Sequence, residues 1–214
     1  MTRLGWLALV AGLIPAMAGA QPAPPPLTAP VNDFAGVIDP ASAAELDRLT
    51  RVLQAATGDV VVVATVTTAA EWGDIRAYAT EMFENHGKGI GQQGRDNGLL
   101  VLVAVEDRQV WLEVGYDLEG FIPDGFAGET SRHYMTPEFR EGRYGAGLVA
   151  GVTRVVQRIA EGRQVTLDGV AAPVRPERQG SRGAPPIGAL IFAAILVMNL
   201  LGGLGGRRGR RRGW

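Results

Sequence analysis

Apolar residues recur at helical spacing over three stretches of the chain and run unbroken over two others. Asp39-Pro40 opens the first helix, with Asp at the N-cap and Pro at the first helical position. Ala44, Leu46, Leu49, Val52, Leu53 and Ala56 then share one face, and Gly58 ends the element. Asp59 to Val66 is a β-branched run and predicts a buried strand. Glu71 to His86 predicts a second helix, with Trp72, Ile75, Tyr78, Ala79, Met82 and Phe83 along one side. Gly87 to Gly98 holds too much glycine for helix or strand. Leu99 to Val105 and Val110 to Val114 predict two strands joined as a hairpin by Glu106 to Gln109. A loop, Gly115 to Gly125, precedes a helix over Phe126 to Met135 and a connection over Pro137 to Tyr144. The last helix runs from Ala146 to Ala160, with Leu148, Val152, Val155, Val156 and Ile159 inward. This order predicts an α/β fold: a three-layer α/β/α sandwich around a small mixed β-sheet.

The pattern also places charge. A helix that joins two strands as a crossover makes them parallel. Asp59 and Asp96, each just before a strand, then lie at the same end of the sheet. The hairpin brings Asp117 back to that end. Carboxylates crowded together raise one another's pKa, and a bound cation relieves the repulsion. The candidate metal ligands are therefore Asp96, Asn97, Asp117, Glu119 and Asp124, with Asp59 a neighbour. Calcium, or magnesium, is the cation such oxygen donors suit. The alternative is that these are ordinary turn residues, with Gly94, Gly98 and Gly115 shaping tight turns. The spacing is not that of an EF-hand loop.

The two ends of the chain read differently from its middle. Residues 1–20 have a basic start at Arg3, an apolar stretch from Leu4 to Ile14 and a small-residue finish, Ala18-Gly19-Ala20. That is the form of a cleaved signal peptide, with an uncleaved anchor as the alternative. Residues 21–30 are a Pro-rich spacer. Residues 187–206 form an uncharged stretch, with its apolar heart from Ile187 to Leu201, long enough for one transmembrane helix. Arg207 to Arg212 follow as a positive-inside signal, so residues 207–214 make a basic cytoplasmic tail. The alternative is a hydrophobic tail that packs on a partner. Residues 163–186, rich in Arg, Pro, Gly and Ala, read as a tether from the globular domain at 31–162. The expected location is the cell membrane, single-pass, with the domain on the periplasmic face. Cysteine is absent, so the fold is not held by disulfides.

The net charge of −1 hides a segregation. Val31 to Gly162 carries 20 acids and 11 Lys or Arg, a charge of −9, while the remainder of the chain carries +8. An acidic domain does not suggest nucleic acid as its partner.

Three segments resemble a known family. DNGLLVLVAVEDRQVWLEVGYDLEGFIPD is similar to the central signature of the TPM domain of YgcG-type bacterial membrane proteins. VNDFAGVID resembles its opening and TPEFREGRYGAGLVAGV its closing segment. The likeness covers Val31 to Gly162. It implies an α/β/α sandwich and, in some relatives, divalent ions held in acidic loops at one sheet end. Plant relatives have been assigned acid phosphatase activity and a part in photosystem repair, and an animal relative modulates a receptor channel. The chain departs from the pattern at ENHGKG, where an apolar stretch is usual, and in its shortened glycine-rich tail.

Two functions follow as expectations. One is a tethered extracytoplasmic accessory domain that binds calcium and a membrane-protein partner, and serves the assembly, maintenance or regulation of membrane proteins. The other is a metal-assisted phosphatase acting on phosphate monoesters. No P-loop, Cys-x5-Arg or GxSxG motif is present, and no residue is assigned as catalytic. The accessory reading is favoured.

Overall fold

β1 (Val31–Asp33), β2 (Val60–Val66), β3 (Gly98–Ala104) and β4 (Gln109–Val114) lie side by side in that order in one sheet. The computed structural model describes residues 23–171, together with Ile195 and Met198, which are helical. β1 and β2 pair in parallel, β2 and β3 pair in parallel, and β3 and β4 pair antiparallel. The crossover and the hairpin expected from the sequence are both present. β1 is an addition. Its three residues, Val-Asn-Asp, are too few to show a period, and their pairing with Val63, Ala64 and Thr65 is a purely tertiary event.

Helices cover both faces of the sheet. α1 (Pro40–Thr57) and α5 (Tyr144–Arg163) pack on one face, over Val61, Val63, Leu99, Val101, Val103 and Leu112. α2 (Ile75–Glu84) packs on the other, over Val62, Ala64, Leu100 and Leu102. β3 is buried at every position, which is why its sequence shows no alternation.

Caps set the helix bounds. Asp39 accepts the Ser42 amide at 2.9 Å and Pro40 follows it. α2 starts later than its apolar pattern suggests, because Asp74 accepts the Ala77 amide at 2.8 Å and so becomes the N-cap. The expected helix from Phe126 to Met135 is α3 (Asp124–Thr130) followed by a π turn over Ser131–Met135. The expected connection after it contains α4 (Thr136–Arg140).

Both presumed linkers begin or end on the domain. Leu27 packs against the α2 face of the core, and its backbone exchanges two hydrogen bonds with the Asn85 side chain, at 2.9 and 3.2 Å. The Pro-rich segment is extended, as expected, but docked. At the other end α5 runs to Arg163, and Leu167 and Val170 pack on the core beyond it. No helix among the described residues is long and apolar enough to cross a membrane. The expected signal peptide at 1–20, the expected span at 187–206 and the expected tail at 207–214 lie outside the described residues, apart from Ile195 and Met198.

Candidate functional site

The parallel pairing of β2 and β3 brings Asp59 and Asp96-Asn97 to one sheet end, and β4 returns Asp117 beside them. Backbone hydrogen bonds stitch them together. The Val60 amide donates to the Asn97 carbonyl at 3.0 Å, and the Asp117 amide donates to the Asp96 carbonyl at 3.0 Å. The strands approach so closely here that only glycine fits. A Cβ on Gly115 would sit 2.3 Å from the Asp96 carbonyl oxygen, and one on Gly98 would sit 2.0 Å from that of Ile90. Gly94 alone of the three expected turn glycines has a positive φ, +80°. Gly98 and Gly115 serve close approach instead.

The carboxylates meet an arginine. Arg163, the last residue of α5, donates through Nε to Asp59 Oδ2 and through an NH2 nitrogen to Asp59 Oδ1, both at 2.9 Å. The same nitrogen donates to Asp117 Oδ2 at 2.7 Å, where Arg95 adds a second contact at 3.3 Å. Asp59 is fully buried. The Phe121 ring lies 4.9 Å from the guanidinium and confines it. Hydrogen bonding to Asp59 drives the Arg163 pKa still higher. Hydrogen bonding from Arg163, with Arg95 behind it, holds Asp117 below the usual carboxylate range.

Asn97 is a clip. It is buried, its Oδ1 accepts the Gln92 amide at 2.8 Å, and its Nδ2 donates to the Gly58 carbonyl at 2.9 Å and to Asp59 at 3.3 Å. It fastens the glycine-rich loop to the start of β2. Asp96 and Glu119 are exposed, and neither carboxylate has a hydrogen bond or ion pair among the described residues. Tyr116 stands between these acids in sequence and is 79% exposed. Asp124 is not grouped with them. It opens α3 and lines a cavity along β4 with Trp111 and Arg132.

A calcium cage needs six to eight oxygens converging on one point. The donors here do not fit that need as they stand. Both Asp59 oxygens and one oxygen of Asp117 are taken by guanidinium groups, Asn97 Oδ1 is spent on Gln92, and Asp124 lies elsewhere. Among the described residues no group of three or more His, Asp or Glu is placed to hold a metal ion. Of the acids at this end, Asp59 and Asp117 meet, and the positive charge between them comes from the chain's own Arg163. The sequence reading ends the last helix at Ala160 and the domain at Gly162, which puts Arg163 in the tether instead of on α5. The apolar period of Val152, Val155, Val156 and Ile159, carried one turn further, reaches Arg163. Arg95 pairs with Asp117 from the glycine-rich loop.

A mixed four-stranded sheet with helices on both faces defines an α/β sandwich domain. The sequence model of the TPM domain matches residues 31–158, and the chain belongs to that family. The N-terminal domain of a P. gingivalis protein, solved in solution, is 28% identical, with 64% of this chain and 86% of that one covered and a TM-score of 0.58. The N-terminal domain of the cg2496 protein from Corynebacterium glutamicum is 15% identical over 63% of this chain and 82% of that one, with a TM-score of 0.48. The BA42 protein from the psychrophilic bacterium Bizionia argentinensis is 22% identical over 58% and 82%, also at 0.48. No curated protein matches the chain.

Proposed function

We propose that the chain is a membrane-tethered, extracytoplasmic accessory module, and that its TPM domain binds a partner protein at the sheet end around Tyr116. The partner is a membrane protein whose assembly, maintenance or regulation the module serves. One observation carries the reading: a tyrosine 79% exposed on a backbone pinned by Arg163, Asn97 and two close-packed glycines. Tyrosine supplies large contact area with few rotatable bonds, and it is enriched at the centres of interfaces. A fixed backbone lowers the ordering cost of binding. The exposed carboxylates of Asp96 and Glu119 fit a partner that offers Lys or Arg. The tether is the apolar stretch 187–206 with its arginine-rich end.

The test is site-specific photo-crosslinking of the full chain in its own membrane. A photoreactive residue at Tyr116 is expected to give a discrete adduct with a membrane protein. The same residue at Ala55, exposed on α1, is expected to give none. Equal labelling from both positions, or no adduct from position 116, would refute the reading.

A further inference from the structure

Eleven arginines lie between residues 23 and 171, and seven of them pair with Asp or Glu. The other four, Arg76, Arg108, Arg132 and Arg140, have no carboxylate partner among the described residues. All four are exposed, and all four line cavities beside β4. Arg108 and Arg140 line one of about 550 Å³, floored by Val103, Val110 and Phe139. Arg76 and Arg132 line one of about 410 Å³, with Trp111 and Leu112. Val110 and Thr136 belong to both, so the two cavities adjoin along the strand. In a domain of net charge −9 this concentration of uncompensated positive charge stands out, with Asp124 the one acid on the lining.

β4 is the last strand of the sheet. The Gly115 amide donates to the Gly98 carbonyl at 2.9 Å, which fixes the phase of the β3–β4 ladder. By alternation, residues 109, 111 and 113 face β3, and the backbone groups of Val110, Leu112 and Val114 point outward. None of those three amides has a loop or helix carbonyl as partner among the described residues. The outward amides of β4 are therefore unpaired where the cavities lie, between the strand and the α3–π-turn residues Ala127, Gly128 and Ser131. Two local irregularities fall on the arginines themselves. Arg108 has φ +54°, a left-handed conformation that glycine or asparagine adopts at lower cost. Arg132 sits in the π turn, a feature that recurs at functional sites.

We infer that the open edge of β4 is a second binding surface, which takes an extended acidic peptide segment as an added strand. An extended chain answers both features of the groove. Its backbone pairs with Val110, Leu112 and Val114, and its Asp or Glu side chains, spaced along it, reach arginines that are likewise spaced along the strand. A single small anion would use one pair of guanidinium groups and none of the edge. The net negative charge of the domain disfavours acidic peptides elsewhere on it, and the arginine variants and the proline peptide separate this edge from the basic tail at 207–212. This surface is distinct from the one around Tyr116.

The experiment is fluorescence anisotropy of the full chain in a non-ionic detergent, with a labelled hexapeptide of alternating Glu and Val, matched to the six residues of β4. Saturable binding is expected. The pair Arg108→Gln, Arg140→Gln, and separately Arg76→Gln, Arg132→Gln, should each weaken it by about tenfold or more, and added salt should weaken it further. A peptide with proline at alternate positions, which cannot donate to the edge, should lose most of the affinity. No saturable binding by the wild type, unchanged affinity in Arg108→Gln, Arg140→Gln, or equal binding of the proline peptide would overturn the proposal. The 108/140 pair carries the decision, because Arg76 also rests on the Trp111 ring, 4.3 Å away.

Discussion

Replacing Arg163 with methionine would leave a fully buried carboxylate with one weak partner. Asp59 is 0% exposed, and its hydrogen bonds come from Arg163 Nε, an Arg163 NH2 nitrogen and, at 3.3 Å, Asn97 Nδ2. Breaking a buried ion pair from one side costs about 3–5 kcal/mol, because the remaining charge stays out of water without compensation. The Arg163 side chain is itself 22% exposed, so water reaches the vacated space and recovers part of that cost. The expected loss is about 2–3 kcal/mol, below the range for a sealed pair. For a domain of this size that lowers the melting temperature by roughly 5–10 °C. Urea unfolding of the domain, followed by far-UV circular dichroism, gives the difference directly. The second arm is the double variant Asp59→Asn, Arg163→Met. It removes the orphaned charge and keeps an acceptor for Asn97, so it should recover more than half of the loss. A single variant that loses less than about 1 kcal/mol, or a double variant no more stable than the single, would refute the account of Asp59 as a charge compensated by Arg163.

Arg163→Met also frees carboxylate oxygens on Asp59 and Asp117, so millimolar calcium should raise the melting temperature of the variant more than that of the wild type; equal shifts would show that Arg163 and a cation do not compete. Asp117 is held below its ordinary value of 3.8 by Arg163, so its contribution is present in full above that value and is lost as pH falls from 3.8 through the lowered one. Stability of the wild type, measured by urea unfolding from pH 6 down through that acid window, should therefore fall more steeply than that of Arg163→Met, and parallel curves would count against the pairing. Gly115→Ala forces a Cβ to within 2.3 Å of the Asp96 carbonyl, so the strand must move, at a cost of about 2 kcal/mol or more. Chemical-denaturant curves for that variant against Gly120→Ala, where a Cβ meets nothing within 4 Å, provide the check.

The layers of the fold were legible because they rest on local patterns. A β-branched run is buried on both faces, an apolar stripe at helical spacing faces a sheet, and Asp39-Pro40 starts a helix whatever lies around it. The direction of β3 followed from the length of its crossover, and with it the gathering of Asp59, Asp96, Asn97 and Asp117 at one end. Local signals failed where a stronger contact sat nearby. Asp74 moved the start of α2, and Asn85 drew the Pro-rich segment onto the domain.

What the sequence by itself determined, then, was where negative charge would collect. It could not say what answers that charge. Arg163 lies 104 positions from Asp59, and its approach depends on the full length of α5 and on how that helix crosses the sheet. The four unpaired arginines beside β4 are likewise scattered from residue 76 to residue 140 and carry no period. Burial leaves a repeating mark on a sequence because every turn or pleat must meet the same core. An ion pair between distant residues is a single coincidence of two side chains, and only the tertiary structure brings it about.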